Sequence, residues 1–461
     1  MSAPPDQPGK GDSPPPFTRP ERRQLARFCL YGFLKNQQYY EPFLFLAFLD
    51  RGLSFTAIGT LIAFRSVCVN VLEIPSGAVA DVLGRRRSMI ASMIAYIASF
   101  ALLAFAGSFA AFLPAMLLFA AGEAFRTGTH KAMIFDWLAR AGRSDERTRV
   151  YGLTRSWSKL GSALSVVLAA GIVLATRDYR WVFLLAIAPY AANGVNFLLY
   201  PSELDGGTDE PRSVRRVARV LLDGLRLALR RGPLRALLVE SVCFEGVYGA
   251  AKDYLQPLLK TMAATTLAGL AGLTFFVAGD DLARTAVLVA AVYLPLNLAG
   301  SFASRSSHRA ARAAGDEDRL ALALWLVALA LYALTGAGLA LGVGALAVAG
   351  FALLAVVQNV WRPTLVSRFH SHAPLESAAT TLSVESQAKN LGLALVAPAL
   401  GAAVDRVRGG GALTLETLWP VAAAGALACL AGLAINLVAH GRHMRPGAHA
   451  EGPEGLDKAS V

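Results

Sequence analysis

The chain has 461 residues, of which 55% are apolar and only 16% are charged. Soluble proteins carry about 25% charged residues, and a single soluble core stops growing at about 250–300 residues. Together with a mean hydropathy of +0.46, this composition argues against a soluble enzyme and against a disordered chain. It predicts an all-α polytopic membrane protein, since each helical crossing needs about 20 mostly apolar residues.

Residues 1–22 are polar and rich in proline, which predicts a disordered tail. No cleavable signal peptide is expected, because the first apolar stretch is too long and no small-residue cleavage site follows it. Apolar runs then predict twelve transmembrane helices, at residues 24–49, 55–80, 89–108, 109–138, 150–175, 179–200, 233–259, 284–304, 320–340, 341–366, 380–404 and 417–440. The apolar stretch 265–278 is too short for a crossing and is expected to be an interfacial part of an outer loop.

The longest connection divides the predicted helices into two groups of six. The predicted domains are a tail, an N-terminal six-helix bundle, a cytoplasmic linker, a C-terminal six-helix bundle and a second tail, at residues 1–22, 23–200, 201–232, 233–440 and 441–461. In the linker, arginines recur every three or four residues between Arg212 and Arg230 and oppose an apolar face. This pattern predicts a basic amphipathic helix on anionic lipid headgroups; a solvated charged linker is the alternative.

Lysine and arginine are concentrated in the two tails and in the even-numbered loops between the predicted helices. The positive-inside rule places these segments in the cytoplasm. The sequence therefore predicts a multi-pass protein of the inner (plasma) membrane with both termini in the cytoplasm. The net charge of +12 marks this cytoplasmic face and needs no nucleic-acid partner.

The sequence offers no group of residues for cofactor, metal or catalytic chemistry, so no cofactor, no metal and no enzymatic activity are expected. The four cysteines lie in apolar runs and resemble small core residues, at Cys29, Cys68, Cys243 and Cys429. No Gly-rich loop of the kind that cradles nucleotide phosphates is found. The loops also contain no Ser/His/Asp arrangement and no His/Cys cluster with metal-ligand spacing.

An internal repeat relates the two groups of six helices. Residues of the first half match residues of the second at offsets of 215, 236 and 230 residues. The matches pair Tyr39 with Tyr254, Pro42 with Pro257, Arg126 with Arg362, Ser156 with Ser386 and Lys159 with Lys389. The matches occur in the same order along both halves. They predict two six-helix pseudo-symmetric bundles, and a parallel repeat of this kind places a binding site between the halves near the bilayer midplane.

The connection between predicted helices 2 and 3 carries the most specific motif, Gly77-Ala-Val-Ala-Asp81-Val-Leu-Gly84-Arg85-Arg86-Arg87. Its glycines allow a tight turn and close helix approach, and Asp81 can accept hydrogen bonds from the N-terminus of a neighbouring helix. The motif resembles the signature loop of the major facilitator superfamily. In the second half, the segment from Gly300 to Arg305 resembles the degenerate second copy of that loop, with Ser304 in place of the aspartate.

The resemblance covers about residues 24–445 and implies alternating access, in which two bundles rock about one central cavity. It also implies a gating role for the loop, in which Gly77, Asp81, Gly84, Arg85 and Arg86 hold the cytoplasmic side closed against the second bundle. The chain as a whole is most similar to bacterial members of the drug:proton antiporter branch. It departs from that branch in the fifth helix, where Ser165-Val166 and Ala169-Ala170 stand in place of Gly-Pro and Gly-Gly.

Ionisable residues within the predicted crossings are candidates for the transport site. A charge at the bilayer centre costs from about 2.5 kcal/mol upward, so such residues face a cavity or a partner. The predicted lining of the substrate cavity is Lys35, Gln38, Glu41, Arg65, Arg126, Lys159, Glu245, Lys252 and Arg362. In the alternative interpretation these charges pair structurally, Glu123 with Arg126 and Glu385 with Lys389, and only lock helices together.

Proton coupling is predicted at Glu123, Glu41 and Glu245. Burial favours the neutral, protonated form of a carboxylate, and a nearby cation favours the charged form. Glu123 is the first candidate, because Arg126 lies one turn away on the same predicted helix. Arg126 is the competing cation, and a substrate could displace it from Glu123. Lys35 and Arg126 lie too far from a helix end for their charges to reach the interface fully, so one or both are predicted to bind an anionic or electron-rich group of the substrate.

The function that these observations predict is a secondary active transporter, coupled to protons and exporting a small amphipathic or charged molecule as a monomer. Its partners would be the small-molecule substrate, protons and the lipid bilayer. The alternative is proton-coupled uptake of an organic anion, which the cationic surplus of Lys35, Arg65, Arg155 and Lys159 favours. A transporter-shaped receptor is expected to have lost such buried charges, and this sequence retains them.

Overall fold

The structure, a computed structural model, describes residues 16–205, 214–265, 280–374 and 378–440. All regular elements within these ranges are helical. The first half of the chain contains eight α-helices, which are α1 (Arg19–Lys35), α2 (Leu44–Asp50), α3 (Phe55–Leu83), α4 (Arg85–Phe105), α5 (Phe109–Arg126), α6 (Thr129–Arg140), α7 (Arg147–Thr176) and α8 (Arg180–Leu198).

The second half begins with the linker helix, and its described residues form nine α-helices. These are α9 (Val214–Arg230), α10 (Gly232–Ser241), α11 (Val247–Ala251), α12 (Leu255–Thr265), α13 (Asp281–Ala314), α14 (Glu317–Ala340), α15 (Gly344–His372), α16 (Ala378–Arg408) and α17 (Trp419–His440). The predicted interfacial stretch 265–278 and the tail 441–461 fall almost entirely outside the described residues, since only residue 265, the last of α12, is described.

Ten helical segments within the described residues are long and apolar enough to cross a membrane. The first and seventh predicted crossings lie at residues 19–50 and 232–265, and each consists of shorter helices separated by breaks. With these two segments the described residues contain the twelve predicted crossings. The chain is therefore an all-α polytopic membrane protein, as its composition predicts.

The first crossing is interrupted between α1 and α2, where a single helix over 24–49 was predicted. Pro42 lies in a short 3₁₀ turn there and cannot donate a backbone hydrogen bond. The side chain of Gln256, from the second half, satisfies the groups that the break leaves open. Its Oε1 accepts from the backbone N–H of Phe45 at 2.9 Å, and its Nε2 donates to the carbonyl oxygen of Glu41 at 3.0 Å. Irregular backbone at membrane depth needs such partners.

Two other predicted helices are also interrupted. The single helix predicted over 109–138 is two helices, α5 and α6, which are separated at Gly128. The φ of Gly128 is 79°, an angle that glycine adopts without strain. The helix predicted over 233–259 is interrupted in the structure by a π-helical segment at Val242–Gly246 and by a 3₁₀ turn at Lys252–Tyr254. π-segments of this kind are frequent at functional sites.

The signature segment is a sharp corner rather than an extended loop. Helix α3 continues to Leu83, α4 begins at Arg85, and Gly84 alone separates them with a φ of 93°. A Cβ atom at Gly84 would lie 2.7 Å from the carboxylate of Asp205, so both the backbone angle and the space require glycine. The side chain of Asp81 lies outside the described residues.

The segment from Gly300 to Arg305, which resembles the degenerate second copy of the signature, contains no corner of this kind. Helix α13 runs through it without interruption to Ala314, because the alanine- and arginine-rich sequence that follows favours helix and contains no breaker. The turn comes instead at Gly315, and Asp316 caps the next helix by accepting from the backbone N–H of Arg319 at 2.7 Å.

At the other end of the chain, α1 begins at Arg19, inside the predicted tail 1–22. The reason is a capping box: the N–H of Glu21 donates to the Thr18 hydroxyl, and the N–H of Thr18 donates to the Glu21 carboxylate at 2.7 Å. This reciprocal arrangement satisfies two donors of the first turn.

The two halves meet along a few helix pairs, chiefly α3 with α16 and α7 with α13, and α2 also contacts α12. Helix α9 contacts both α3 and α16. We call the end of the molecule that carries α9 and the corner at Gly84 the linker face, and the opposite end the far face.

Candidate functional site: a polar cavity between the two halves

A cavity of about 390 Å³ lies between the two halves. Its walls come from the break after α1 and from α7 in the first half, and from the seventh crossing, α13 and α15 in the second. The polar side chains that line it are Asn36, Gln38, Glu41, Lys159, Ser162, Ser165, Glu245, Tyr248, Lys252, Asp253, Tyr293, Asn297, Gln358 and Asn359. A cavity with both halves in its wall changes shape when one half moves relative to the other.

The helix breaks supply much of this polar lining. Gln38 and Glu41 belong to the interruption between α1 and α2, Glu245 lies in the π-helical segment, and Lys252 and Asp253 lie in the 3₁₀ turn. Side chains on such segments project at angles that a regular helix would not give them. The breaks thus gather charges from two crossings into one space.

Two polar contacts organise the wall from the second half. The Nε2 group of Gln358 donates to both carboxylate oxygens of Glu245, at 3.2 and 3.4 Å. The Nζ of Lys252 lies 3.1 Å from the carboxylate of Asp253. Glu245 is held by a neutral amide and has no cation within 4.0 Å among the described residues, so its carboxylate is available to a proton or to a cationic group of a ligand.

Arg362 and Glu385 form a bidentate ion pair next to this cavity, at 2.6 and 2.9 Å. Glu385 is fully buried and also accepts from the Ser241 hydroxyl at 2.5 Å. The alternative pairing of Glu385 with Lys389 is therefore not the one adopted. Sequence spacing favoured the same-helix partner, whereas the planar guanidinium of Arg362 on α15 offers two parallel hydrogen bonds.

Lys35 and Arg126 lie in a second, smaller space, which we call the basic cavity. It has a volume of about 190 Å³ and is lined by residues of the first half, and its basic residues are Lys35, Arg126, His130, Lys131 and Arg155. The Nε of Arg126 donates to the Tyr96 hydroxyl at 3.4 Å. Glu123 forms no ion pair with Arg126 within 4.0 Å, so the predicted Glu123–Arg126 pair is absent from the described contacts.

The nine residues predicted to line the cavity thus divide into three groups. Five of them line the central cavity, namely Gln38, Glu41, Lys159, Glu245 and Lys252. Lys35 and Arg126 line the basic cavity. The other two contact protein groups: Arg362 pairs with Glu385, and the guanidinium of Arg65 lies 5.2 Å from the centre of the Phe119 ring, a cation–π contact.

Residues 36–397 match the Major Facilitator Superfamily. The chain belongs to this superfamily. It is therefore a multi-pass membrane transporter of small molecules and not an enzyme. No curated protein matches the sequence.

Solved structures of transporters share the fold of this transporter along nearly its whole length. A variant of the nucleoside transporter NupG has 11% sequence identity and a TM-score of 0.74, over 90% of this chain and 99% of that one. A variant of the peptide transporter POT has 15% identity and a TM-score of 0.66, over 91% and 94%. An inward-facing bacterial homologue of the human lysosomal transporter Spinster has 15% identity and a TM-score of 0.65, over 92% and 96%. Identities this low show a common fold alone.

The arginines of the signature segment contact carboxylates of the first half in this transporter. Arg85 forms an ion pair with Asp136 of α6. Arg86 lies 3.5 Å from Asp205, which also accepts from the backbone N–H groups of Arg86 and Arg87 at 3.0 and 3.3 Å. Sequence reasoning missed Asp205, because a carboxylate at the start of a linker has no spacing that relates it to a helix 120 residues earlier.

At the far face the two halves of the transporter are in direct contact. Asp405, at the end of α16, accepts from the backbone N–H groups of Phe55 and Thr56 at 3.1 and 2.7 Å and so caps the N-terminus of α3. Arg177 and Asp280 form an ion pair of 2.8 Å across the same face. These contacts join the two halves at the far face. The sequence carries no signal for them, because Arg177 and Asp280 are 103 residues apart and Phe55 and Asp405 are 350 residues apart.

Proposed function

We propose that the protein is a proton-coupled secondary transporter that works by alternating access and exports a small charged or amphipathic molecule. The observation that carries this proposal is the pair of carboxylates, Glu41 and Glu245, in the wall of one cavity between two halves. Glu123, which interacts electrostatically with Lys35 and Arg126, remains a further candidate for the proton path. The proposed moving bodies are the bundles 23–200 and 233–440.

The coupling we propose is competition at Glu245. Desolvation favours the protonated carboxyl, whereas a cationic or strongly polar ligand group favours the carboxylate. A site that binds a proton or the substrate, but not both, exchanges one for the other when its access alternates between the two faces. Buried carboxylates of this kind serve as proton relays in transporters. Exchange is therefore the mode that the environment of Glu245 supports.

The direction follows from exchange together with the proton gradient, and the charge distribution gives the orientation of the protein. The linker face carries the corner Gly84–Arg87 and the arginines of α9, and the positive-inside rule assigns that face to the cytoplasm. A proton gradient directed into the cell across the plasma membrane then drives the substrate outward. This matches the resemblance of the chain to the drug:proton antiporter branch, which we retain as part of the proposal.

Proton-coupled uptake of an organic anion is the second candidate. The basic cavity favours it, since Lys35, Arg126 and Arg155 would hold an anion while a carboxylate takes up a proton on the same side. The two candidates differ in one measurable respect: export by exchange moves protons against the substrate, and uptake moves them with it.

The test uses purified protein in proteoliposomes that contain a pH-sensitive dye, with a ligand found by a thermal-shift screen of metabolites and drugs. When substrate is added to the linker-face side, we expect protons to move across the membrane in the direction opposite to the substrate. Glu245→Gln should retain binding, because the amide still fits beside Gln358, and should lose proton movement. Glu416→Gln, an exposed carboxylate outside the cavity, is the matched control and should behave as the parent. Normal proton coupling in Glu245→Gln would refute the proposed role of this residue.

A further inference from the structure

The basic cavity lies beside the central cavity on its linker-face side. Along α7 the lining of the basic cavity is followed by that of the central cavity. Tyr151 and Arg155 belong to the basic cavity, and Lys159 and Ser162 belong to the central one. One turn of helix rises about 5.4 Å, so Arg155 and Lys159 are successive steps of a single polar stripe. On α1, Lys35 and Asn36 are likewise adjacent in the two linings.

Among the described residues, no carboxylate pairs directly with the basic side chains of this cavity, and Glu123 acts on Lys35 and Arg126 only from a distance. In the described part of the chain, none of Lys35, Arg126, Lys131 and Arg155 has a carboxylate within 4.0 Å, and no Asp or Glu lines the space. Lys131 lies instead over the rings of Phe135 and Tyr151, at 5.4 and 5.5 Å. Like charges gathered in a space of low dielectric repel one another, and a bound anion relieves that repulsion.

The helix break at Gly128 adds a second, independent contribution. Helix α6 starts there with no side chain capping its first turn, and Gly128 itself lines the basic cavity. The first N–H groups of a helix lack intrahelical partners and carry partial positive charge, so they bind anions. Cationic side chains and the open start of α6 therefore face the same small space.

We propose that the basic cavity is a binding site for a small multivalent oxyanion, a phosphate monoester or a dicarboxylate, carried by the transported solute. The cluster of basic side chains suits at least two negative charges, and the volume suits one such group rather than a whole drug-sized molecule. The solute would rest there before it moves along α7 into the central cavity. This last step rests on the proposed function, whereas binding of the anion does not.

Binding of inorganic phosphate and of succinate to the purified protein in neutral detergent tests the site without any transport. At constant ionic strength we expect saturable binding of both, and weaker binding of monovalent acetate. Lys131→Gln and Arg155→Gln should each weaken phosphate binding by about tenfold, because a charge-assisted contact is lost. Both side chains are exposed at the rim, so the variants are expected to fold.

A control variant keeps a general loss of charge apart from loss of the site. Arg140→Gln removes an exposed cation from the same helix as Lys131 but outside the cavity. It should bind phosphate as the parent does. Equal weakening in Arg140→Gln, or no saturable phosphate binding by the parent, would overturn the proposal while leaving proton-coupled transport untouched.

A lipid headgroup offers the same phosphate chemistry, and nanodiscs separate the two sources. If the occupant is a soluble anion, phosphate affinity will be the same in nanodiscs of phosphatidylcholine with or without phosphatidylglycerol. A clear loss of phosphate affinity when phosphatidylglycerol is present would show that a headgroup fills the cavity, and the assignment to the transported solute would be wrong.

Discussion

Arg368 and Glu240 form an ion pair that solvent hardly reaches, with exposed fractions of 1% and 0%. Two guanidinium nitrogens of Arg368 donate to the carboxylate, at 2.8 and 3.2 Å, and its Nε donates to Asp318 at 2.6 Å. Trp325 also donates to Glu240. The contacts tie α10, α14 and α15 together. Such a pair is costly to desolvate, and removing only one of its partners is strongly destabilising.

At this residue scale we predict that Arg368→Met destabilises the protein by about 3–5 kcal/mol, because Glu240 keeps its buried charge but loses the guanidinium that balances it. Reversible unfolding in detergent mixtures measures the change. The double variant Glu240→Gln, Arg368→Met should recover part of the loss. Arg319→Met, which removes an exposed arginine of α14 paired with Asp316, should change stability by no more than about 1 kcal/mol. A double variant as unstable as Arg368→Met would argue against charge imbalance as the cause.

Among the elements, the pair α3 and α16 decides how the two halves close at the far face. Gly59 of α3 faces the carbonyl oxygen of Ala397, and Gly401 of α16 faces that of Phe55, with no room for a Cβ atom in either place. The backbones therefore meet directly, and Asp405 caps α3 where they cross. Small residues permit this approach of helices in membranes.

We predict that Gly59→Ala and Gly401→Ala each shift the population toward states that are open at the far face, because the added methyl group meets rigid backbone that cannot move aside. Spin labels at Gly107→Cys and Ala412→Cys, in far-face loops of the two halves, should report longer distances in a background without the native cysteines. Gly171→Ala on α7, where a Cβ meets nothing within 4 Å, is the control. Unchanged distances in both α3 and α16 variants would mean that this crossing does not control closure.

For the whole molecule, the asymmetry of charge between its two faces carries the proposed orientation. The linker face holds Arg85, Arg86 and Arg87 at the start of α4 together with the arginines of α9. That face is assigned to the cytoplasm because positive residues are retained there during insertion. The face from which the substrate enters the central cavity in the proposed export cycle depends on this assignment.

We predict that a membrane-impermeant maleimide labels Gly107→Cys in intact cells and labels Ser144→Cys only after permeabilisation. Both positions are exposed, Gly107 at the far face and Ser144 at the linker face. The parent without its four native cysteines provides the background. The reverse pattern would place the linker face outside the cell and would contradict the proposed orientation.

Much of the architecture follows from local properties of the chain. The lengths of the apolar runs predict twelve crossings and an all-α membrane fold, because a helix that spans a bilayer needs a set number of apolar residues wherever it lies. The cost of charge within those runs singled out Glu41, Lys159, Glu245 and Lys252, and these side chains do line the central cavity. These inferences need no knowledge of which helices are neighbours.

The rest depends on distant partners. The break at Pro42 persists because Gln256, over 200 residues later, satisfies the open backbone. Glu385 pairs with Arg362 on another helix rather than with Lys389 on its own, and Lys35 joins Arg126 in a cavity apart from the central one. Periodicity along one helix tells which residues share a face. Packing of the whole bundle decides which face of a helix contacts which neighbour. Hydrogen-bond geometry and close backbone contact then select among pairings that sequence spacing alone cannot distinguish.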